Sequence, residues 1–255
     1  MRFEFCRRTI VFLFETYALD SELFHRAELM LGHETLERFS NLRVIIFGLG
    51  GVGSWCVESL VRTGFRYITL VDYDTVTASN CNRQLPATSK TIGRLKTEVL
   101  KERFEEINPN VQISIRSEAY SLANAETFQL SEYDIIIDCI DSMQCKMDLI
   151  RRATKTDAFF ISSMGAALKI DPLQIRVDEF WNVQYDLFAR RIRKNIRKGE
   201  LPSKPFPCVY STEQTLAGSE EQEINGESKR INGSTAHITA MFGFTIAGEI
   251  VKHFM

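Results

Sequence analysis

The run Val44-Ile-Ile-Phe47, passing straight into Gly48-Leu-Gly50-Gly51-Val-Gly53, constrains this chain more than any other part of its sequence. An unbroken apolar run fits a strand covered on both faces, as in a parallel sheet between helix layers. The spacing G-x-G-x-x-G directly after a strand lets backbone N–H groups approach phosphates, and the helix it opens adds partial positive charge at its N-terminus. That helix is predicted from about Gly53 to Thr63, with Gly64 as its stop, and Tyr67 to Val71 as the next strand. Strand, glycine turn, helix and strand in this order open a doubly wound domain, and they imply a bound nucleotide.

The alternation continues along the chain. A helix from about Arg94 to Ile107 places Leu95, Val99, Phe104 and Ile107 inward and stops at Asn108-Pro109. Val111 to Ile115 is the third strand, Ile135 to Ile137 the fourth, and Phe159 to Ile161 the fifth, with a helix near Met143 to Ala153 between the last two. Upstream, Glu22 to Leu31 reads as a short helix closed by Gly32. After Gly165 the pattern is less regular: a strand-like Ile175 to Val177, a basic helix near residues 186–198, a polar loop from Gly218 to Ser234, and an apolar helix or strand-plus-helix from Ile238 to Val251. The predicted class is α/β, a Rossmann-like, doubly wound, mostly parallel sheet with helices on both faces.

Composition narrows the setting. A length of 255 residues suits one domain spanning 1–255, and 44% hydrophobic with 25% charged residues indicates a packed core. The net charge of −2 argues neither for nor against a polyanionic partner. None of the six cysteines forms a C-x-x-C pair, so a structural zinc site of that kind is unsupported. Cys56, Cys81 and Cys139 sit beside or within apolar stretches and read as small buried thiols, whereas Cys208 is either inert or near the substrate. A cytoplasmic, reducing location fits this usage. The apolar run Thr9 to Phe14 is too short for a signal h-region or a membrane span and reads as a short helix, a strand or an irregular terminus.

The glycine turn alone fits NAD as well as ATP. Further residues favour a triphosphate. Asp72 ends the second strand, where a carboxylate accepts from ribose hydroxyls. Arg83 follows in Asn80-Cys-Asn-Arg83-Gln84, Lys96 opens the next helix in Gly93-Arg-Leu-Lys96, and Asp141 follows the fourth strand. Hydride transfer has no use for an arginine, a lysine and a lone carboxylate at one pyrophosphate. ATP with Mg²⁺ does, because cations neutralise the phosphoryl oxygens and the carboxylate holds the metal.

These segments, with Asp72-Tyr-Asp74, Ser79 to Gln84, Ile107-Asn-Pro109 and Asp138-Cys-Ile-Asp141, make the chain resemble the ubiquitin-activating-like adenylating enzymes over residues 24 to 170. Gly53-Ser-Trp55, Asp141-Ser142 with Lys146, Lys169-Ile-Asp-Pro172, Val209-Tyr-Ser-Thr-Glu213 and Phe242-Gly-Phe244 are most similar to the tRNA threonylcarbamoyladenosine dehydratase branch. One departure is Asp186-Leu-Phe188, where that branch often reads Asp-Pro-Leu before its basic helix. The resemblance implies that Gly48, Gly50, Gly51 and Gly53 cradle ATP, that Asp72 holds the ribose, that Asn80, Arg83 and Lys96 contact the phosphates, and that Asp141 binds magnesium. It also implies that Arg26 reaches the triphosphate of a neighbouring subunit in a homodimer. Residues 171–255 would then face the substrate.

The implied reaction is attack by the threonyl carboxylate of a modified adenosine beside the tRNA anticodon on the α-phosphate of ATP. Ring closure then expels AMP. A carboxylate is ionised near neutral pH, so this first step needs no general base, and the four histidines form no constellation. The alternative is adenylylation of the C-terminus of a small ubiquitin-like sulfur-carrier protein; an assisting sulfur-transfer partner stays open in either case. In the segment from Arg190 to Lys198, Arg190, Arg191, Arg193, Lys194, Arg197 and Lys198 supply six cations in nine residues, either for the tRNA backbone or as a solvated helix face.

Overall fold

The computed structural model describes residues 22–224 and 227–255, with the backbone only for 222–224 and 227–230. The run Thr9 to Phe14 lies outside the described residues. The strands are β1 (Arg43–Phe47), β2 (Tyr67–Val71), β3 (Gln112–Arg116), β4 (Ile135–Asp138), β5 (Phe159–Ser163), β6 (Ile175–Glu179) and β7 (Pro207–Ser211). They form one sheet in the order β3-β2-β1-β4-β5-β7-β6. All neighbours are parallel except β6, which pairs antiparallel with β7.

The helices are α1 (His25–Leu31), α2 (His33–Asn41), α3 (Gly53–Arg62), α4 (Lys96–Ile107), α5 (Met143–Ala153), α6 (Leu187–Ile196) and α7 (Ala236–Phe254). The apolar strand runs are explained by two cores. Val44 and Ile46 of β1 face the core beneath α3, α4 and α7, while Ile45 and Phe47 face the core beneath α5 and α6. Ile135 and Ile137 against Ile136 repeat the division in β4. Burying each such side chain contributes about 1.5–3 kcal/mol, so a polar residue anywhere in these runs would be costly. The doubly wound, mostly parallel architecture is the one predicted.

Two readings change, one is decided between its alternatives, and two elements are added. The helix α2 and the strand β7 were not legible as separate elements. The last apolar segment is one continuous helix, whose Gly243 lies so close to α3 that a β-carbon there would meet the Val52 carbonyl oxygen at 2.5 Å. The segment from Gly218 to Ser234 is not an irregular loop but a hairpin, β8 (Ser219–Ile224) with β9 (Glu227–Asn232), in register from Ser219 opposite Asn232 to Ile224 opposite Glu227. Asn225-Gly226 between them is the dipeptide that favours a two-residue hairpin connection, and its signal outweighs the polar composition. Cys81 is exposed rather than buried, because it sits in the turn after a short 3₁₀ segment, whereas Cys56 and Cys208 are core thiols whose burial pushes them well above the usual thiol range.

One carboxylate ties the helix layer together. Glu58 of α3 is 5% exposed and accepts from Arg62 at 2.8 Å and from Arg103 of α4 through two bonds of 2.9 Å. Burial alone would raise its pKa, but these guanidinium hydrogen bonds hold it below the usual carboxylate value. A depressed folded-state pKa contributes stability that is present above the unfolded value and lost as pH falls through the folded one. Glu58→Gln is therefore expected to cost about 1–3 kcal/mol at pH 7. In urea unfolding, its gap to the wild type should narrow as pH falls below about 4. A gap that is unchanged at acid pH would show that the charge of Glu58 contributes nothing.

Candidate nucleotide site

The strand order reverses at β1, with β2 on one side and β4 on the other, so the connections part and leave a crevice at the carboxyl edge. The glycine turn occupies that crevice. Gly48 has φ +91, and its N–H donates to the Val71 carbonyl at 2.9 Å. A β-carbon at Gly48 would stand 2.7 Å from the Cys139 carbonyl oxygen, and one at Gly53 would stand 1.9 Å from that of Gly48. Side chains at these positions would force the turn open. At Gly50 the missing side chain faces only the Gln84 amide, 3.8 Å away, and at Gly51 it faces Thr239 of α7 at 3.0 Å. The turn thus presents bare backbone at the N-terminus of α3, where the Ser54 amide already donates to the Gly50 carbonyl at 3.2 Å.

Asp72 closes the far side of the turn. Its two carboxylate oxygens accept from the Leu49 amide at 2.6 Å and the Asp74 amide at 2.8 Å. Burial raises its pKa, while Lys96 and the two amides oppose that rise. Each oxygen keeps a second lone pair, so both are available to ribose hydroxyls. Lys96 is the first residue of α4 and only 3% exposed, yet its ammonium reaches Asp74 at 2.7 Å, and that partner carboxylate is 45% exposed. The cation is held in the wall with its partner open to solvent.

The segment from Ser79 to Leu85 is clasped to α3. Ser54 donates to the Gly50 carbonyl at 2.6 Å and accepts from the Leu85 amide at 3.2 Å, while the Trp55 indole donates to the Arg83 carbonyl at 3.1 Å. Asn80 Oδ1 accepts from the Thr77 amide and fixes the turn. Among the described residues the Arg83 guanidinium donates to neutral acceptors alone, the Ser79 carbonyl at 3.0 Å and Asn82 Oδ1 at 2.8 Å. Burial lowers its pKa, but a guanidinium stays protonated. Phosphate oxygens are better acceptors than either neutral partner, because a charge-assisted bond is roughly twice as strong.

Two groups that the sequence motifs contain without a role of their own also stand here. Gln84 is 8% exposed, and its Oε1 is buried with no hydrogen-bond partner among the described residues. Leaving such an acceptor unsatisfied costs about 1–3 kcal/mol, which a ligand donor that reached it would remove. Beneath the β4 exit, Asp138 and Lys146 form a fully buried ion pair of 2.6 Å. Lys146 also donates to Ser162 Oγ at 3.2 Å and to the Ser163 carbonyl at 2.9 Å, while Asp138 Oδ1 accepts from the Ile140 amide at 3.0 Å. That network fixes the turn that carries Asp141. Asp141 itself is exposed, and its charge, after that of Asp74 and burial, raises the phenol pKa of the intervening Tyr73.

Arg26 is not in this crevice. It lies two residues beyond Phe24, which packs beside Gly64 just past the end of α3, whereas the glycine turn is at the start of that helix. Ten residues of helix separate the two ends by about 15 Å. In α6, Ile192 and Ile196 are buried, and Arg190, Arg191 and Lys194 are exposed, as are Arg197 and Lys198 just past its end. Arg193 instead turns inward and donates to the Phe180 carbonyl at 2.9 Å, so it leaves the outer stripe. The Asp186 side chain caps the helix by accepting from the Ala189 amide at 2.7 Å, which supplies an N-terminus without the proline common in the branch.

The ThiF family model matches residues 25–255. The tRNA threonylcarbamoyladenosine dehydratase of Haemophilus influenzae is 34% identical over 229 residues, covering 86% of this chain and 87% of that protein. That of Bacillus subtilis is 33% identical, with 89% and 92% covered. The crystal structure of the Escherichia coli tRNA N6-threonylcarbamoyladenosine dehydratase in complex with ATP superposes with a TM-score of 0.82 at 30% identity, covering 92% of this chain and 94% of that one. The chain belongs to the ThiF family, in the branch of the tRNA threonylcarbamoyladenosine dehydratases.

Proposed function

We propose that the chain dehydrates threonylcarbamoyladenosine in tRNA, with ATP as the second substrate. The observation that carries this reading is the meeting of bare glycine backbone, the Asp72 carboxylate, the buried Lys96 ammonium and the clasped Arg83 segment around one crevice. The Escherichia coli relative, also crystallised with AMP, supports the same substrate.

In the first step a substrate carboxylate oxygen forms a bond to the α-phosphorus, the bond to the β-phosphate oxygen breaks, and pyrophosphate leaves. The product is an acyl-adenylate. In the second, an internal nitrogen or oxygen attacks the acyl carbon, one proton is lost to solvent, and AMP leaves with the oxygen that was the carboxylate's. Asp72 orients the ribose, while Arg83 and Lys96 meet charge that develops on the phosphoryl oxygens. Asn80 and the glycine turn position the phosphates, and Asp141 with those phosphates would hold Mg²⁺, which supplies further charge neutralisation. A single exposed carboxylate suits this ion, which is usually bound through one or two carboxylates plus phosphates. Cys208 has no part, since its thiol is buried.

The active unit is a homodimer in the cytoplasm, with Arg26 serving the partner's nucleotide; its distance from its own crevice supports that arrangement. Residues 24–170 bind the nucleotide, and residues 171–255 face the tRNA. No helix among the described residues is long and apolar enough to cross a membrane. The purified chain with ATP should remove the mass of one water from threonylcarbamoyladenosine in tRNA and release AMP. Formation of a protein adenylate on a ubiquitin-like carrier, with no change in the tRNA nucleoside, would overturn the reading. Turnover without added protein would also dispense with a sulfur-transfer partner.

The outer stripe of α6 supplies the tRNA contact. If about four of its cations meet phosphates, log affinity should fall against log salt with a slope of roughly −3 to −4. Replacing Arg190, Lys194 and Arg197 with alanine should flatten that slope in filter-binding titrations, with ATP affinity unchanged. An unaltered slope would place the tRNA elsewhere.

A further inference from the structure

Tyr185 combines two features that seldom occur together. The residue is 69% exposed, and its backbone sits in the left-handed region at φ +62. That conformation is strained for a residue with a β-carbon, and it persists only where the neighbouring chain over-determines it. The chain on either side does so here. Val183 is 2% exposed in the core, and Asp186, 3% exposed, accepts from the Gly165 amide at 3.1 Å as well as from Ala189. Glycine at this position would remove the strain, yet a large aromatic ring is held there and turned to solvent.

Its place in the fold matters more. Gly165 follows β5 at the carboxyl edge, and β5 pairs with β4, whose exit carries Asp141. The first turn of α6 stands over the same network, with the Lys146 ammonium 5.9 Å from the Phe188 ring. The far end of the stripe is marked by Arg197, stacked 5.0 Å over Trp181, which follows β6. Since β6 is antiparallel to β7, Trp181 belongs to the opposite edge of the sheet. The exposed cations therefore run from that edge toward the nucleotide crevice, and Tyr185 stands where they arrive.

We propose that Tyr185 is a stacking platform for an unpaired base of the anticodon loop next to the modified adenosine, with the α6 cations holding the backbone that leads to it. This rests on the reading that tRNA is the substrate. Single-stranded RNA is recognised by splaying bases onto aromatic faces, and a ring presented beside a phosphate-binding stripe meets both requirements. Tyr185 is accordingly a positioning residue: it sets where the threonylcarbamoyl group lies relative to the α-phosphate.

The test uses a synthetic anticodon stem-loop that carries threonylcarbamoyladenosine, with 2-aminopurine as its neighbouring nucleotide. Wild type, Y185F and Y185W should bind it and quench the 2-aminopurine emission. Y185L should bind roughly ten- to a hundredfold more weakly without the quench, at unchanged ATP affinity. Y185G should bind as poorly as Y185L while melting at or above the wild-type temperature, which separates loss of the ring from loss of the fold. Equal binding and quenching by Y185L and wild type would overturn the proposal. AMP release by the wild type is measured in parallel. Its absence, with an aromatic-dependent quench still present, would sink the dehydratase reading and leave Tyr185 as an RNA contact. AMP release by Y185L at the wild-type KM for the stem-loop would do the reverse, and failure of the wild type to bind the stem-loop would sink both.

Discussion

Lys96→Met is expected to slow acyl-adenylate formation by roughly two to three orders of magnitude, the usual consequence of removing one preorganised group aimed at developing charge. Methionine keeps the unbranched stem that fills the wall at the start of α4, where Lys96 is 3% exposed. Removing one partner of a buried ion pair normally destabilises a protein, because the other charge stays buried and uncompensated. Here the hydrogen-bonded partner is Asp74, whose side chain is 45% exposed and can be hydrated in place, and the buried Asp72 keeps its two amide donors. The loss should consequently fall on chemistry and leave the melting temperature within a few degrees. Single-turnover release of pyrophosphate, measured beside thermal unfolding, separates the two effects. A rate within about threefold of wild type would remove Lys96 from the phosphate site; a collapse in melting temperature would make its role structural.

The contrast with Lys146 shows where the sequence could be read and where it could not. Lys96 is the first residue of α4 and Lys146 the fourth of α5, and position in a helix does not show which of the two is enclosed. Only the fold reveals that Lys146 is wholly enclosed and paired with Asp138, whereas Lys96 faces a carboxylate in solvent. The inner strands β1 and β4 were legible because continuous apolar runs are what two covered faces demand, and the glycine turn was legible because Gly48 and Gly53 have no room for a side chain. Gln84 and Thr239 were not, since their relation to Gly50 and Gly51 depends on how a distant loop and the last helix pack. The inward turn of Arg193 was hidden for the same reason: helical spacing sorts residues by face, but the acceptor at the Phe180 carbonyl comes from another segment.

The position of Arg26 leads to the second large effect. Its helix packs near the end of α3 remote from the crevice, which is the basis for the proposal that Arg26 serves a second copy of the chain. Arg26→Ala and Arg83→Ala homodimers should each be nearly inactive. Mixed after co-refolding, they form heterodimers in which one site lacks both arginines and the other has both. Random pairing gives heterodimers in half the population, so total activity should recover to about a quarter of wild type, with closed two-fold association. If Arg26 served its own subunit, every site in the heterodimer would lack one arginine and no recovery would follow. Differently tagged chains, isolated as heterodimers by two affinity steps, raise the expected value to about one half and exclude incomplete mixing as a cause of failure. Inactive heterodimers would therefore remove Arg26 from the partner's site, and the dimer would lose its catalytic rationale.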